Sequence, residues 1–250
     1  MDQIWVYTIL SVLVVSAVSL VGIVTLLLQK ELLKRILLFL VSFATGALFG
    51  NVFFELLPEV AKNGWKLSAS FYILTGIIVF FIFEKFIRWR HCHEPTSAEH
   101  PHHLGPINLF GDSVHNFTDG MVIAGSYLAS IPLGIATTLA VTFHEIPQEI
   151  GDFGILIYSG YSRKKALIMN FLTALTAILG AVAALLISSR VENISGILVP
   201  FAIGGFIYIA GSDLLPELHK EVEVRKSLLQ LLGLLLGIGL MAALLFFISE

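Results

Sequence analysis

The 250-residue sequence has a single cysteine, Cys92, and therefore cannot form a disulfide bond within the chain. Charged residues are also scarce: they make up 13% of the sequence, whereas soluble domains contain about 25%. Hydrophobic residues make up 56%, and the mean hydropathy is +0.88. These values exclude an ordinary soluble domain and indicate a membrane protein.

Long apolar runs cover nearly the whole chain. A membrane-spanning helix needs about 17 to 25 mostly apolar residues, and eight runs approach that length. They cover residues 4–28, 36–57, 67–83, 107–129, 133–158, 166–188, 197–215 and 228–248. We therefore predict an all-α membrane protein with eight transmembrane helices, in which residues 1–250 form a single polytopic domain. The first run follows no basic residue and is too long for a signal-peptide core, so we expect a retained helix.

The basic residues predict the orientation. In the eight-helix arrangement, 12 of the 15 lysines and arginines lie on one side of the membrane. They are Lys30, Lys34, Arg35, Lys85, Arg88, Arg90, Arg163, Lys164, Lys165, Lys220, Arg225 and Lys226. Because basic loops remain cytoplasmic, this side is predicted to face the cytoplasm and both termini the outside.

The longest predicted loop, residues 84–105, is rich in histidine. It contains five of the eight histidines, and the orientation places it in the cytoplasm. These are His91, His93, His100, His102 and His103. Short histidine-rich tracts bind metals, so the loop is either a site that receives or senses metal or a solvated linker. The sequence leaves both interpretations open.

Two apolar segments resemble each other. Residues 41–60 and 199–218 share 8 identities over 20 positions without a gap, including a Leu-Leu-Pro-Glu sequence. Since the two segments run in opposite directions in the predicted topology, they indicate an inverted repeat that relates helices 1–3 to helices 6–8. Many membrane carriers are built from such repeats, with the substrate site between them. Chance similarity between apolar segments is the alternative.

The fourth and fifth predicted helices carry ionisable side chains at a depth where lipid should exclude them. At 100° per residue the polar residues fall within about 100° of arc on the fourth helix and about 140° on the fifth. The two sets are Asn108, Asp112, His115, Asn116 and Asp119, and His144, Glu145, Gln148, Glu149 and Asp152. The short connector at 130–132 makes the two helices antiparallel neighbours, so the polar faces can meet. Such a cluster predicts a functional site.

The residue types favour a divalent transition metal. Imidazole, carboxylate and carboxamide groups are the donors that hold such ions. Residues spaced i, i+4 lie on one face of a helix, as His115 and Asp119 do, and Pro147 should bend its helix and free a carbonyl group near the site. There are two alternatives. One is a polar network that stabilises helix packing, and the other is a proton relay without metal.

An enzymatic interpretation also has to be considered. The sequence from His144 to Gln148 is similar to the H-E-x-x-H motif of zinc hydrolases, but the second histidine is absent. An intramembrane metallohydrolase or a metal sensor is therefore the alternative to a carrier, and we expect no enzymatic activity.

Two motifs resemble the ZIP (Zrt/Irt-like) family of divalent metal transporters. Residues 115–120, His-Asn-Phe-Thr-Asp-Gly, match the H-N-F-x-D-G motif of that family, and residues 144–152 resemble its H-E-x-P-H-E-x-G-D motif. The similarity extends to the helix count, the external termini and the histidine-rich loop. It implies a ZIP-like helical bundle in which a group of helices including the fourth and fifth slides past a scaffold that includes the second and seventh.

The resemblance also implies the metal ligands, in a site for one or two ions. The implied set is His115, Asn116, Asp119, His144, Glu145, Gln148 and Glu149. Gln148 departs from the motif, which has histidine there, so Mn or Fe becomes more plausible beside Zn. The sixth helix offers no central acid, and a ligand from it would have to be Asn170.

From these observations we expect a carrier that moves divalent transition metal, zinc before Mn or Fe, into the cytoplasm across a plasma or inner membrane. Its partners are the metal ion and the lipid bilayer, and no nucleic acid is expected. Small residues such as Gly46 and Gly50 would permit a homodimer. The driving force, the coupled ion and the number of bound metals are left open.

Overall fold

The structure, a computed structural model, describes residues 2–25, 30–62, 64–91, 104–191 and 193–248. All regular secondary structure in these residues is helical. The main helices are α1 (Asp2–Val18), α2 (Lys30–Asn51), α3 (Leu67–His91), α4 (Leu104–Ala129), α5 (Ile131–Tyr158), α6 (Arg163–Ala174 and Thr176–Ser188), α7 (Ser195–Tyr208) and α8 (Val224–Ile248). Most of the predicted histidine-rich loop, residues 92–103, lies outside the described part of the chain.

Six helices are long and apolar enough to cross a membrane. These spans are Gln3–Val21, Arg35–Lys62, Leu67–Lys85, Arg163–Ser188, Ser195–Leu218 and Val224–Leu244. The chain is therefore an integral membrane protein. Helices α4 and α5 are not among the six, because their polar residues lower the hydropathy. That they also cross the membrane remains a proposal.

Two helices contain matching irregularities. After α2, a π-helical turn, Val52–Leu56, leads into the short helix Leu57–Lys62. After α7, a π-helical turn, Ile209–Leu214, leads into Leu215–Leu218. The two turns fall at equivalent positions of the similar segments 41–60 and 199–218. The segments therefore share an irregularity of backbone as well as sequence, while their opposite orientation in the membrane stays a prediction.

Helices α4 and α5 lie at the centre of the packing. They contact each other, α6 packs on α4, and α1 and α2 pack on α5. Two further pairs, α2 with α8 and α3 with α7, complete the arrangement. A buried apolar core that includes Leu48, Ile123, Val141, Ile203 and Phe206 joins these helices.

The small-residue face that suggested a dimer is used inside the chain. A Cβ atom at Gly46 would overlap the backbone carbonyl oxygen of Leu234 on α8, and one at Gly50 would lie 2.7 Å from the Cβ of Met241. The glycines let α2 approach α8 closely. A homodimer stays a prediction, but it cannot use this face.

Candidate metal centre

Helix α4 presents its polar residues to the interior, as the periodicity predicted. Asn116 and Asp119 are fully buried, and the side chain of His115 is 15% exposed. The opposite face carries apolar residues such as Phe110, which is exposed. The exposed apolar residues and the site-facing polar residues of the helix are thus separated.

Helix α5 begins directly after α4. The connector is Ser130, whose side-chain oxygen accepts a hydrogen bond from the backbone N–H of Leu133 and caps the helix. This tight turn makes α4 and α5 antiparallel neighbours, as expected. Helix α5 then runs through Pro147 to Tyr158 without interruption. The bend expected at Pro147 stays a prediction.

The orientation of the His144 ring is fixed by its own helix. Its Nδ1 atom lies 3.3 Å from the carbonyl oxygen of Ala140, which can only accept a hydrogen bond. Nδ1 is therefore the donor, and in the neutral ring Nε2 keeps its lone pair. This is the arrangement that orients histidine as a metal ligand.

Four side chains, two from each helix, converge on one point. Potential ligand atoms of His115, Asp119, His144 and Glu145 all lie within 4.8 Å of one another. We call these residues the four-donor cluster. The Nε2 atoms of His115 and His144 are 3.2 Å apart. His115 Nε2 lies 3.7 Å from Asp119 Oδ2 and 3.1 Å from Glu145 Oε1, and His144 Nε2 lies 3.2 Å and 3.4 Å from the same two atoms.

These distances match the dimensions of a tetrahedral zinc site. Zinc binds nitrogen and oxygen at about 2.0 to 2.2 Å, so the ligand atoms of a regular tetrahedron lie about 3.3 to 3.6 Å apart. The five separations span 3.1 to 3.7 Å. Little rearrangement would be needed to receive an ion.

The carboxylates of the four-donor cluster are short of hydrogen-bond donors. Both oxygens of Asp119 and both of Glu145 are buried, and apart from the two imidazoles no donor among the described residues bonds to them. A buried carboxylate is costly unless it is paired or coordinates a cation. The contacts with the imidazoles and a bound cation can compensate the cost of burying these carboxylates.

Aromatic rings cover the imidazoles. The ring of Phe80 on α3 meets that of His115 edge-on at 6.2 Å, and the ring of Phe206 on α7 meets that of His144 at the same centroid distance. Phe206 is 1% exposed and Phe80 8%. Each histidine is therefore packed against one phenylalanine from the α3–α7 pair, which keeps water from that side.

A cavity of about 250 Å³ leads from His115 toward the end of α3 that precedes the histidine-rich loop. Helices α3, α4, α5 and α7 bound it. Its polar lining consists of Glu84, Asn108, Asp112, His115, Thr118, Gln148, Tyr208, Asp152 and Asp213. Of the four-donor cluster, His115 lines this cavity.

Comparisons with known proteins agree with this geometry. The family model described as "ZIP Zinc transporter" matches residues 2–106 and 104–245. The chain belongs to the ZIP zinc transporter family. The resemblance predicted from the two motifs is confirmed.

Individual ZIP relatives align over most of the chain. It is 30% identical over 312 residues to the zinc transporter ZIP13 homolog of Drosophila melanogaster, an alignment that covers 95% of this chain and 88% of the relative. It is 38% identical over 218 residues to zinc transporter ZIP13 of Pongo abelii, covering 81% and 65%. With zinc transporter SLC39A7 of Rattus norvegicus the identity is 30% over 302 residues, covering 83% and 64%. The chain thus spans less than two thirds of the last two relatives.

Three further expected ligands of this ZIP chain have other contacts. Asn116 donates a hydrogen bond to Asp112 at 2.8 Å. Gln148 lines the cavity together with His115. Glu149 accepts a hydrogen bond from Asn170 on α6. That these residues take part in metal binding stays a prediction.

The position of the imidazole that faces His144 bears on the hydrolase alternative. In the H-E-x-x-H motif the second histidine would stand at position 148, whereas here the partner imidazole of His144 comes from His115 on another helix. Membership of a transporter family also argues against this alternative. The ZIP chain therefore has a site assembled from two helices, unlike the single-helix motif of those enzymes.

Sequence reasoning missed several residues around the site of this ZIP protein. Asp112 was placed on the polar face but not among the ligands, although its i, i+4 spacing to Asn116 was a signal for their hydrogen bond. The sequence pattern carried no signal for Phe80 and Phe206, since apolar residues on α3 and α7 were indistinguishable from lipid-facing ones.

Proposed function

We propose that this ZIP-family chain carries divalent transition-metal ions, zinc before Mn or Fe, into the cytoplasm. The observation that carries the proposal is the four-donor cluster: four donors from two central helices, buried and spaced as the ligands of one tetrahedral ion. The names of its relatives, which are zinc transporters, support the same substrate.

The proposal includes eight membrane-spanning helices. Helices α4 and α5 have 26 and 28 residues, which is long enough to cross a bilayer. They are surrounded by α1, α2, α6 and α7, so their polar faces are shielded from lipid. Residues 1–250 would then form one transporter domain in the lipid bilayer. The predicted loop 84–105, whose ends belong to α3 and α4, would lie on the cytoplasmic side.

The direction of transport follows from the charge distribution. Basic residues concentrate at the end of the bundle toward which the cavity leads, and basic segments face the cytoplasm. In this arrangement the four-donor cluster communicates with the cytoplasm, and both termini lie outside. The proposal keeps the expected location in a plasma or inner membrane.

Two groups of helices support a sliding movement. Helices α2 and α8, and α3 and α7, form close pairs, while α1 and α6 pack on α5 and α4. The four-donor cluster belongs entirely to the α4–α5 group. Movement of this group past the scaffold of α2, α3, α7 and α8 would carry the ion without dismantling its ligands.

The donor set accounts for the metal preference. Two imidazoles with two carboxylates suit zinc and similar borderline ions. A hydrolytic zinc enzyme needs an open coordination position for water, whereas four protein donors here fill the tetrahedron. We infer that the chain is a carrier and not an enzyme.

Transport by the purified protein tests the proposal. The protein is reconstituted in liposomes that contain a metal-sensitive dye, and zinc, Mn²⁺ and Fe²⁺ are added outside. We expect zinc influx that is lost in Asp119→Ala and Glu145→Ala, which each remove a donor, and retained in Glu217→Gln, a change at an exposed acid.

Other results would overturn it. Zinc binding without influx of any metal would indicate a sensor. Normal influx in Asp119→Ala or Glu145→Ala, with normal protein content in the liposomes, would remove that residue from the site.

A further inference from the structure

Three basic residues stand side by side at the start of α6. Arg163, Lys164 and Lys165 form its first turn, and all three are exposed. The membrane-spanning part of this helix also begins at Arg163. The three cations, which we call the α6 triad, therefore lie at the depth of the lipid headgroups.

No carboxylate balances the α6 triad within the described part of the chain. The Nζ atom of Lys165 lies 4.2 Å from the centroid of the Tyr161 ring, and no member of the triad forms a salt bridge with a described acid. Lys226 on α8, in contrast, has its Nζ atom 2.7 Å from Oε2 of Glu223. The positive charge of the triad is thus left without a counter-charge from these residues.

The position of the α6 triad does not serve the helix itself. The N-terminus of a helix carries a partial positive charge, so cations in the first turn are unfavourable. Ser162 caps α6 by accepting a hydrogen bond from the backbone N–H of Lys165, which requires no cation. The excess of positive charge therefore favours an anionic partner from outside the chain.

An exposed apolar face continues from Lys164 along α6. Ile168 and Leu172 follow Lys164 by four and eight residues, so at 100° per residue they lie within about 80° of it around the helix. They are 43% and 50% exposed. A cation above an uncovered apolar face matches a molecule with an anionic head and hydrocarbon tails. A free phosphate ion would use only the cation.

The α6 triad is connected to the helices that hold the four-donor cluster. In the turn 159–162, which joins α5 to α6, the backbone N–H of Tyr161 donates to the carbonyl oxygen of Leu156 at 3.1 Å. A Cβ atom at Gly105, at the start of α4, would lie 2.7 Å from Cε2 of Tyr161. A partner bound to the triad would therefore hold the adjoining ends of α4, α5 and α6 together.

We propose that Arg163, Lys164 and Lys165 bind the headgroup of an anionic membrane lipid, whose hydrocarbon tails lie along the exposed apolar face of α6. Each lysine or arginine close to an anionic membrane surface strengthens the interaction roughly fivefold. The three together select an anionic lipid over a zwitterionic one. This surface is separate from the four-donor cluster, and binding of the lipid does not depend on transport.

Lipid binding by the purified full chain in detergent tests the proposal. Dioleoyl phosphatidylglycerol and dioleoyl phosphatidylcholine differ only in the headgroup, and native mass spectrometry counts the molecules of each that bind as the lipid is added. We expect at least tenfold higher affinity for phosphatidylglycerol. In the triple variant Arg163→Gln, Lys164→Gln, Lys165→Gln this preference should fall below twofold.

A second triple variant controls for total charge. Lys220→Gln, Arg225→Gln, Lys226→Gln removes three positive charges from the same predicted side of the membrane, and the two lysines are paired with glutamates. It should keep the tenfold preference. Glycerol phosphate, which has an anionic head but no tails, should compete at least tenfold more weakly than the lipid.

Four results would overturn the proposal. They are equal affinity of the wild-type protein for the two lipids, an unchanged preference in the variant of the α6 triad, an equal loss in the control variant, and equal competition by glycerol phosphate. The third would indicate only a general positive potential, and the fourth a site for free phosphate.

Size-exclusion profiles control for folding. If the triple variant of the α6 triad is misfolded, Lys164→Gln alone decides, because it changes the cation directly above the apolar face. It should lower the affinity for phosphatidylglycerol roughly fivefold and leave that for phosphatidylcholine unchanged. An equal affinity of Lys164→Gln and the wild-type protein for phosphatidylglycerol would contradict the proposal.

Discussion

Gly120 on α4 and Gly180 on α6 make a reciprocal backbone contact. A Cβ atom at Gly120 would overlap the carbonyl oxygen of Ala177, and one at Gly180 would overlap that of Phe117. Each glycine therefore makes room for the backbone of the other helix. The contact lies one residue beyond Asp119, so it holds the four-donor cluster against α6.

Enlarging this contact should destabilise the protein. We expect Gly120→Val to cost about 1 to 3 kcal/mol by overpacking and to lower the unfolding temperature by several degrees, measured by thermal denaturation in detergent. Gly151→Val is the matched control, because a Cβ atom at the exposed Gly151 meets nothing within 4 Å. Equal unfolding temperatures for the two variants would show that α4 and α6 can move apart without loss of stability.

Gln148 offers a test of metal preference. It lines the cavity next to His115, so Gln148→His would add an imidazole beside the four-donor cluster. We expect uptake of Zn²⁺ relative to Mn²⁺ to rise several-fold, since nitrogen donors favour zinc, measured by competition between the two ions in liposomes. Gln148→Asn keeps the carboxamide and controls for the loss of glutamine. An unchanged ratio in Gln148→His would exclude position 148 from selectivity.

Metal removal should lower stability. A ligand that binds only the folded state contributes about 2.7 kcal/mol at 100 times its dissociation constant. Zinc should therefore raise the unfolding temperature of the wild-type protein and a chelator should reverse the rise. The shift should nearly vanish in His144→Ala, and Glu217→Gln should retain it. A full shift in His144→Ala would place the stabilising ion elsewhere.

The histidines at the predicted cytoplasmic loop are expected to be accessory. Replacing His91, His93, His100, His102 and His103 by alanine leaves every donor of the four-donor cluster in place. The zinc concentration for half-maximal uptake should therefore shift modestly, with the maximal rate retained, when influx is measured over a range of zinc concentrations. Complete loss of transport would refute the accessory role.

Sequence periodicity predicted much of the site. It placed the donors of α4 and α5 on one face of each helix, and the short turn at Ser130 implied that these faces meet. The structure brings together His115, Asp119, His144 and Glu145 as that reasoning required. It also places Gln148 in the cavity and Glu149 against Asn170. A helical projection gives the angle of a side chain about its own helix but not the position of a third helix, which is why these two could not be assigned.

Breaks within helices were harder to predict than their ends. The predicted segment 133–158 ends where α5 ends, and α5 begins two residues earlier because Ser130 caps it. The predicted segment 166–188 is interrupted at Leu175. There the hydroxyls of Thr173 and Thr176 donate to the carbonyl oxygens of Asn170 and Thr173, each at 2.7 Å. Such hydroxyl bonds compete with the helix ladder, but threonine occurs in unbroken helices too.

The spacing of the four-donor cluster has a consequence for discrimination among abundant ions. A cluster in which five of the six donor–donor separations are 3.1 to 3.7 Å leaves no space for water between the ion and its ligands. An ion that binds there must give up its hydration shell. Magnesium dehydrates reluctantly and demands octahedral coordination, so we expect the cost of dehydration to exclude it, without any clash of size or charge. On the proposed mechanism, zinc passes because four protein donors replace its water in the geometry that it already prefers.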